Sequence, residues 1–321
     1  MNVLVFGKDG QLGKAFRSLF DEIISGFSQQ PKIQYIGRAE CDLTDPDAVN
    51  AVLDNFKPDL IINASAYTAV DKAESEIELA YAVNAKAPEL MAAFAVKNNS
   101  TFLHYSTDYV FDGEKYGFYL EDDVRNPLGV YGKSKAAGEE SIAKIFAASS
   151  DGQYAIFRTS WVYGDGENFV RTILCLAKER EALKIVADQY GVPTSAEWLA
   201  KLSLGFALNK QGGLKRFPSG IYHAVPSGET TWHGLATTAV TAAIEAGIAL
   251  KVSPGAIEAI PTTEFPLPAP RPMNSRMSTD KLRSVLANSS SYNDSIENPG
   301  FPHWEEKVRD YIRKLAASKL I

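Results

Sequence analysis

The run Tyr131-Gly132-Lys133-Ser134-Lys135 puts a phenol and an ammonium four residues apart. On a helix that spacing is one turn, so both side chains share a face. A phenol ordinarily titrates near about 10 and is a poor proton donor at neutral pH unless a cation stabilises its anion. Lys135 can supply that charge, which makes Tyr131 a candidate general acid. Tyr-x-x-x-Lys fixes only two positions, however, and either residue alone reads equally well as a surface group. The pair gains weight from the residues that precede it.

Residues 1–6 form a short apolar run suited to a buried parallel strand. Gly7-Lys8-Asp9-Gly10-Gln11-Leu12-Gly13 follows at once, and Ala15, Phe16 and Leu19 then recur at helical spacing. Gly7, Gly10 and Gly13 make Gly-x-x-Gly-x-x-Gly, a variant of the usual dinucleotide fingerprint. The physical task is the same: a tight turn, close backbone approach to a pyrophosphate, and a helix amino terminus aimed at the negative charge. The second strand, residues 33–36, ends in Gly37-Arg38 rather than in an acidic residue for the ribose hydroxyls of NAD. A guanidinium there suits a 2′-phosphate and favours NADPH, with NADH as the lesser partner; otherwise Arg38 is a solvated charge. Asp42 and Leu43 are placed to meet the adenine.

Helical spacing at residues 46–56, 74–98 (broken near Pro88) and 131–148 alternates with strand-like runs at 59–63, 101–106 and 154–158. That alternation predicts parallel βαβ units, hence an α/β fold with a Rossmann-type doubly wound sheet. It weakens after about residue 170, where 217–227 and 252–273 are rich in Gly, Pro, Ser and Thr around a helical stretch at 233–246. The expected organisation is a dinucleotide-binding domain over 1–165 and a smaller mixed α/β substrate domain over 166–321, some of whose segments return to the first. Ligands bind at the carboxyl ends of strands in such sheets. The strand 101–106 therefore delivers Thr107, Asp108 and Tyr109 to the cofactor. As a hydride reaches a carbonyl carbon, charge grows on the oxygen; Thr107 would donate a hydrogen bond to it and Tyr131 its proton. Lys135 would keep the phenol acidic and hold the nicotinamide ribose.

With 321 residues, 45% of them hydrophobic, the chain can bury a large core and a second small domain. A net charge of −6 and the lack of a basic run argue against nucleic acid or anionic membranes as partners. Lys8 and Asp9 interrupt the first apolar run, and nothing approaches the roughly 18 apolar residues of a membrane span. Cys41 and Cys175 lie far apart, and the four histidines are scattered, so no metal is expected and a reduced cytoplasmic setting is the default.

The stretches GKDGQLG, NASAYTAVDKAES, HYSTDYVFDG, NPLGVYGKSKAAGE, FRTSWVYG, NFVRTIL, ADQYGVPTSAE, TTWHG and RPMNSRM run from the start of the chain to about residue 280. Together they resemble the extended short-chain dehydrogenase/reductases and, within these, the dTDP-4-dehydrorhamnose reductase family. That resemblance implies NADPH- or NADH-dependent reduction of the 4-keto group of a dTDP-sugar for polysaccharide synthesis. It implies cofactor contacts at Gly10, Gln11, Leu12, Asp42, Leu43, Ala66, Tyr67 and Thr68, catalytic roles for Thr107, Tyr131 and Lys135, and sugar-nucleotide contacts at Thr107, Asp108 and Trp161. Trp161 offers a flat apolar face to a deoxysugar. Asn168, Gln189, Tyr190 and Arg276 are candidates for the thymine or diphosphate, with Arg276 best matched to phosphate geometry.

Some members of the family form a magnesium-linked dimer through three glutamates. Glu197 and Glu305 match two of them, but Ala15 stands where the third belongs. Losing a carboxylate weakens a hard-cation site, so a monomer or a metal-independent homodimer is expected. Two enzymatic alternatives share the fold. A 4,6-dehydratase needs a second carboxylate after Asp108, where Tyr109 stands; a 4-epimerase would retain NAD. The non-enzymatic alternative is a regulatory subunit like the reductase-related one of methionine adenosyltransferase.

Overall fold

The computed structural model describes residues 1–288 and 299–318. Its first half runs β1 (Asn2–Phe6), α1 (Gln11–Ile23), β2 (Lys32–Ile36), α2 (Pro46–Phe56), β3 (Leu60–Asn63), α3 (Val70–Ala73), α4 (Ile77–Tyr81), a π turn at Ala82–Lys86, α5 (Ala87–Lys97), β4 (Thr101–Thr107), α6 (Val130–Ala147) and β5 (Gln153–Thr159). Local chemistry sets several of these ends. Asp45 accepts hydrogen bonds from the amides of Asp47 and Ala48, Pro46 opens α2, and Lys57 closes it in a left-handed conformation at φ 50°. The helical stretch expected over 74–98 is broken by the π turn, whereas Pro88 sits in the first turn of α5, where its missing N–H costs nothing.

Six parallel strands form the main sheet in the order β10-β5-β4-β3-β1-β2, β10 being Gly220–His223. The doubly wound architecture expected from the alternation is therefore present. Strand order reverses between β1 and β3, which leaves a crevice outside their carboxyl ends. β1 shows why the sheet is covered on both faces. Val3 and Val5 pack with Phe16, Leu19 and Trp198 on one side, while Leu4 and Phe6 pack with Val49, Leu53 and Met91 on the other.

The second half continues β6 (Val162–Tyr163), α7 (Phe169–Glu179), β7 (Leu183–Val186), β8 (Tyr190–Gly191), β9 (Thr194–Ser195) and α8 (Ala196–Ala207). After β10 come β11 (Thr230–Thr231), α9 (Trp232–Glu245), β12 (Ile257–Ile260), α10 (Asp280–Asn288) and α11 (Trp304–Ala317). From this half α8 packs on α1, and β10 extends the main sheet beside β5. Elsewhere α7, α9 and α11 gather around Leu174, Leu235, Val308 and Ile312. No helix among the described residues is long and apolar enough to cross a membrane.

Candidate active site

A cleft of about 690 Å³ opens at the switch point of the sheet. Its floor is the glycine loop. Gly7 has φ +85°, and a Cβ there would lie 2.6 Å from the Ser65 amide nitrogen; a Cβ at Gly13 would lie 2.1 Å from the Gly7 carbonyl oxygen. Only glycine lets the β1–α1 turn, the β3 loop and the first turn of α1 close up this far. Gly10 caps α1 without a side-chain hydrogen bond, and no acidic residue occupies the first turn. The amide groups at that end are thus free for a negatively charged ligand. Gly7, Gly10, Gln11 and Leu12 line the cleft, while Gly13 lies behind it as a packing residue.

Arg38, Asp42, Leu43, Ala66, Tyr67 and Thr68 line the same cleft. Arg38 is exposed and joins no ion pair among the described residues, whereas neighbouring Lys8 is paired with Glu40. Asp42 accepts from the Thr44 amide at 3.0 Å and the Thr44 hydroxyl at 2.9 Å. Those bonds, helped by the charge of Arg38, hold its carboxyl below the usual range. The loop 66–68 is pinned by Asn84, a fully buried residue of the π turn. Its Oδ1 accepts from Tyr67 N at 2.8 Å, and its Nδ2 donates to Tyr67 O at 3.1 Å and to Ser134 Oγ at 3.0 Å. Asn84 so ties a cleft wall to α6. Nothing in the sequence pattern marked it, because a π turn has no residue signature and its role lies in where it points the side chain.

α6 begins with no side-chain cap of its own; Glu74 accepts from the Val130 amide at 2.8 Å instead. Tyr131 and Lys135 both face the cleft. Burial pushes the Tyr131 phenol up to about 12, against a lowering by the Thr107 hydroxyl. The sequence reading had Lys135 acidifying this phenol. In the structure Lys135 Nζ turns toward β4, donating to Tyr105 O at 2.6 Å and lying 3.3 Å from His104 Nε2, and the phenol is not acidified. Burial pushes Lys135 itself down to about 8, opposed by the Glu139 carboxylate one turn on.

Thr107 Oγ1 donates to Asp108 Oδ1 at 2.8 Å and accepts from Tyr109 N at 3.2 Å. Its single proton can serve either Asp108 or the Tyr131 oxygen, and the 2.8 Å contact is with Asp108. Burial pushes the Asp108 carboxyl up to about 6, partly offset by hydrogen bonds from Ser275 and Thr107. The Tyr109 ring meets Tyr131 edge-on at 5.4 Å. Two hydroxyls that sequence reasoning passed over, Ser106 Oγ and Thr159 Oγ1, are buried without partners at the carboxyl ends of β4 and β5, and both residues line the cleft. Their position at strand ends was the available signal.

Trp161 adopts φ +47°, a strained conformation for a bulky residue. Its indole stacks on Trp232 at 3.7 Å and packs over Gly191. One face is therefore covered by protein. Trp232 Nε1 donates to Gln189 Oε1 at 3.1 Å, and Gln189 Nε2 donates to Thr262 Oγ1 at 3.2 Å, so both ends of the buried Gln189 amide are engaged. The Asn168 side chain is engaged at both its oxygen and its nitrogen. Its Oδ1 caps α7 at Arg171 N, 3.1 Å away, and its Nδ2 bonds Gly164 O at 3.0 Å and Tyr311 Oη at 3.0 Å. It locks α7 to α11 rather than presenting a free amide to a ligand. Tyr190 is exposed beneath Arg276, whose guanidinium lies 5.2 Å from the ring centre and donates to Asn274 at 2.8 Å and Glu229 at 3.3 Å.

Residues 1–316 match the family described as the RmlD substrate binding domain. The dTDP-4-dehydrorhamnose reductase of Salmonella typhimurium (strain LT2) is 42% identical over 327 residues, covering 100% of both chains. The chain belongs to the RmlD, or dTDP-4-dehydrorhamnose reductase, family. Two solved members share its shape. One, from Clostridium acetobutylicum, has TM-score 0.81 at 32% identity over 98% of this chain and 99% of that one. The other, from Bacillus anthracis in complex with NADP, has TM-score 0.80 at 30% identity over the same shares.

In this RmlD-family chain a second cavity, of about 850 Å³, is lined by α1, α8 and α11. Ala15 and Glu197 border it. Glu197 is paired with Lys314 and lies 3.8 Å from Lys201, while Glu305 is held by Arg309 at 3.1 Å. Among the described residues no group of three or more His, Cys, Asp and Glu could hold a metal ion.

Proposed function

We propose that this protein reduces the C4 keto group of dTDP-4-dehydro-L-rhamnose to dTDP-L-rhamnose with NADPH. One observation carries the reading: Tyr131 and Lys135 share a cleft with the glycine loop, in a chain that aligns end to end with a reductase of that name. The cleft fits the cofactor by its own chemistry. Gly7 and Gly13 let the β1–α1 turn close against the β3 loop, the bare amino end of α1 suits a pyrophosphate, Arg38 is an exposed cation with no ion pair among the described residues and suits a 2′-phosphate, and two orphaned hydroxyls await polar groups. When bound, NADPH supplies the hydride that reduces the carbonyl carbon.

The remaining chemistry belongs to side chains. Tyr131 donates its phenolic proton to the carbonyl oxygen as charge develops there. Thr107 orients that oxygen, which requires its hydroxyl to leave Asp108 when the sugar arrives. Lys135 would hold the nicotinamide ribose, and as an ammonium directed into the cleft it would lower the phenol's pKa. We assign the sugar nucleotide to the side built by Trp161, Gln189, Tyr190 and Arg276. Asp108 is followed by Tyr109 rather than a second carboxylate, which disfavours dehydration. The test is oxidation of NADPH on adding dTDP-4-dehydro-L-rhamnose, against no sugar and against the UDP analogue. A rate no higher than the no-sugar blank would overturn the reading.

A further inference from the structure

His104 sits in the middle of β4, fully buried, and donor and acceptor bookkeeping along its neighbours leaves it one tautomer. The Ser65 amide N–H can only donate, and it donates to Asn63 Oδ1 at 3.2 Å; the Ser65 hydroxyl donates to the same oxygen. That pins the Asn63 amide, so its Nδ2 is the atom 3.1 Å from His104 Nδ1. An amide N–H₂ is a donor, hence Nδ1 is the acceptor and bears no proton. Burial holds the ring neutral, well below its ordinary titration range, with the charge of Lys135 acting the same way. A neutral ring bare at Nδ1 carries its hydrogen on Nε2. That hydrogen faces Lys135 Nζ across 3.3 Å, in a site where Asn63, His104 and Lys135 are 1%, 0% and 1% exposed.

The orientation decides which form of the lysine is welcome. A neutral amine has one lone pair and two hydrogens. The lone pair takes the His104 N–H, one hydrogen goes to Tyr105 O at 2.6 Å, and the other is left for the cleft. An ammonium has three hydrogens and no lone pair, so it meets the His104 N–H donor to donor. We propose that His104, fixed as its Nε2–H tautomer by Asn63, is a positioning residue that stabilises the neutral amine of Lys135 and so lets this lysine pass a proton to the Tyr131 oxygen and take one back. The balance is simple. Tyr131 loses its proton to the substrate oxygen, the Lys135 ammonium gives one proton to the phenolate and becomes the neutral amine that His104 stabilises, and that amine regains a proton from solvent. A lysine held permanently charged could attract the phenolate but not refill it. The other titratable groups near Lys135 are Tyr131 and Glu139 on its own helix α6; β4 presents His104 and the Tyr105 backbone carbonyl to it, and Arg158 on β5 neutralises Glu139 at 2.8 Å. Asp108 acts on Tyr131 and not on the lysine.

The kinetic part rests on the reductase reading; the tautomer and the lysine titration do not, and both of these can be read on the resting protein. Long-range ¹H–¹⁵N correlation of the four histidines should show His104 protonated at Nε2 and bare at Nδ1, and Asn63→Asp, whose carboxylate can only accept, should move the proton to Nδ1. His104→Phe keeps an aromatic ring beside Phe102 and removes the N–H. It should raise the titration of Lys135, followed by its ¹³Cε shift, by about 0.5–1 unit, the worth of one hydrogen bond to the neutral form. The basic limb of kcat should move up with it, KM for NADPH staying within about twofold. A His104 protonated at Nδ1 in the parent, or a Lys135 titration unmoved or lowered in His104→Phe, would overturn the proposal even if Asn63→Asp fails to fold. The tautomer in the parent and the lysine shift in His104→Phe, found with no sugar-dependent NADPH oxidation by the parent, would sink the reductase reading and leave the His104–Lys135 coupling standing.

Discussion

Replacing Arg158 by methionine tests what anchors the carboxyl-terminal half of α6. Glu139 is 0% exposed and Arg158 1%. The carboxylate accepts from Arg158 Nε at 2.9 Å and Nη2 at 2.8 Å, while Arg125 Nη1 lies at 3.4 Å from the wetter side. Arg158 also donates to Glu121 O at 3.1 Å. Methionine fills most of the volume but leaves the buried Glu139 carboxylate with one long hydrogen bond, from Arg125. Removing one member of a buried pair costs about 3–5 kcal/mol, because the other charge stays buried uncompensated. Arg125 can close on the orphaned carboxylate, so the lower figure, about 3 kcal/mol, is expected. For 321 residues, at an unfolding entropy of about 2.1 cal/mol/K per residue, that is a fall in Tm of roughly 4–5 °C. Calorimetry on Arg158→Met, Glu139→Gln and the double variant completes the cycle. The double variant should be less destabilised than the sum of the singles, since neither charge is then left alone. A loss below about 1 kcal/mol in Arg158→Met, or strict additivity, would show that the pair is not what holds β5 to α6.

Tyr131→Phe should lower kcat by about 10²–10⁴ while NADPH affinity stays within a few-fold, since the ring contact with Tyr109 survives and only the proton donor goes; a rate within threefold of the parent refutes the assignment. Arg38→Ala should weaken NADPH by about 1–3 kcal/mol in titrations and leave NADH nearly untouched; equal losses would point to folding instead. Asp108 has a folded pKa raised by burial to about 6, above its unfolded value. Its neutral form therefore favours the fold, and that contribution is complete below about pH 4 and lost as pH rises through 6. Asp108→Asn should accordingly gain stability relative to the parent at pH 7.5, by at most about 3 kcal/mol, and nothing at pH 4; urea titrations at both pH values check this, and an equal gain at the two would refute it. With Glu197 and Glu305 engaged by cations and Ala15 offering no oxygen, sedimentation should be identical in excess Mg²⁺ and in EDTA; a mass that doubles only with Mg²⁺ would show the site rebuilt from other ligands.

The sequence by itself determined whatever is written in contiguous residues. The strand–glycine loop–helix of β1 and α1 was legible because an apolar run, three spaced glycines and a helical period all fall within its first twenty residues. The i, i+4 placement of Tyr131 and Lys135 follows from helix geometry alone. Thr107 could be put at the carboxyl end of β4, where its hydroxyl meets Tyr131, because a strand's end is a position along the chain. Tertiary structure decided what each side chain meets. Asn84 reaches Ser134 across 50 residues, Asn63 reaches His104 across 41 and Gln11 reaches Asn168 across 157; no local pattern encodes such pairings. Hence Asn168 reads as a ligand group in sequence and is a helix cap in the fold. Trp161 reads as an open platform and is stacked on Trp232. Lys135 reads as the partner of a phenol, yet in the resting protein it faces β4, because strand register sets His104 and Tyr105 beside it. Spacing along a helix says which residues share a face; only the packed neighbours say which proton each of them can give or take.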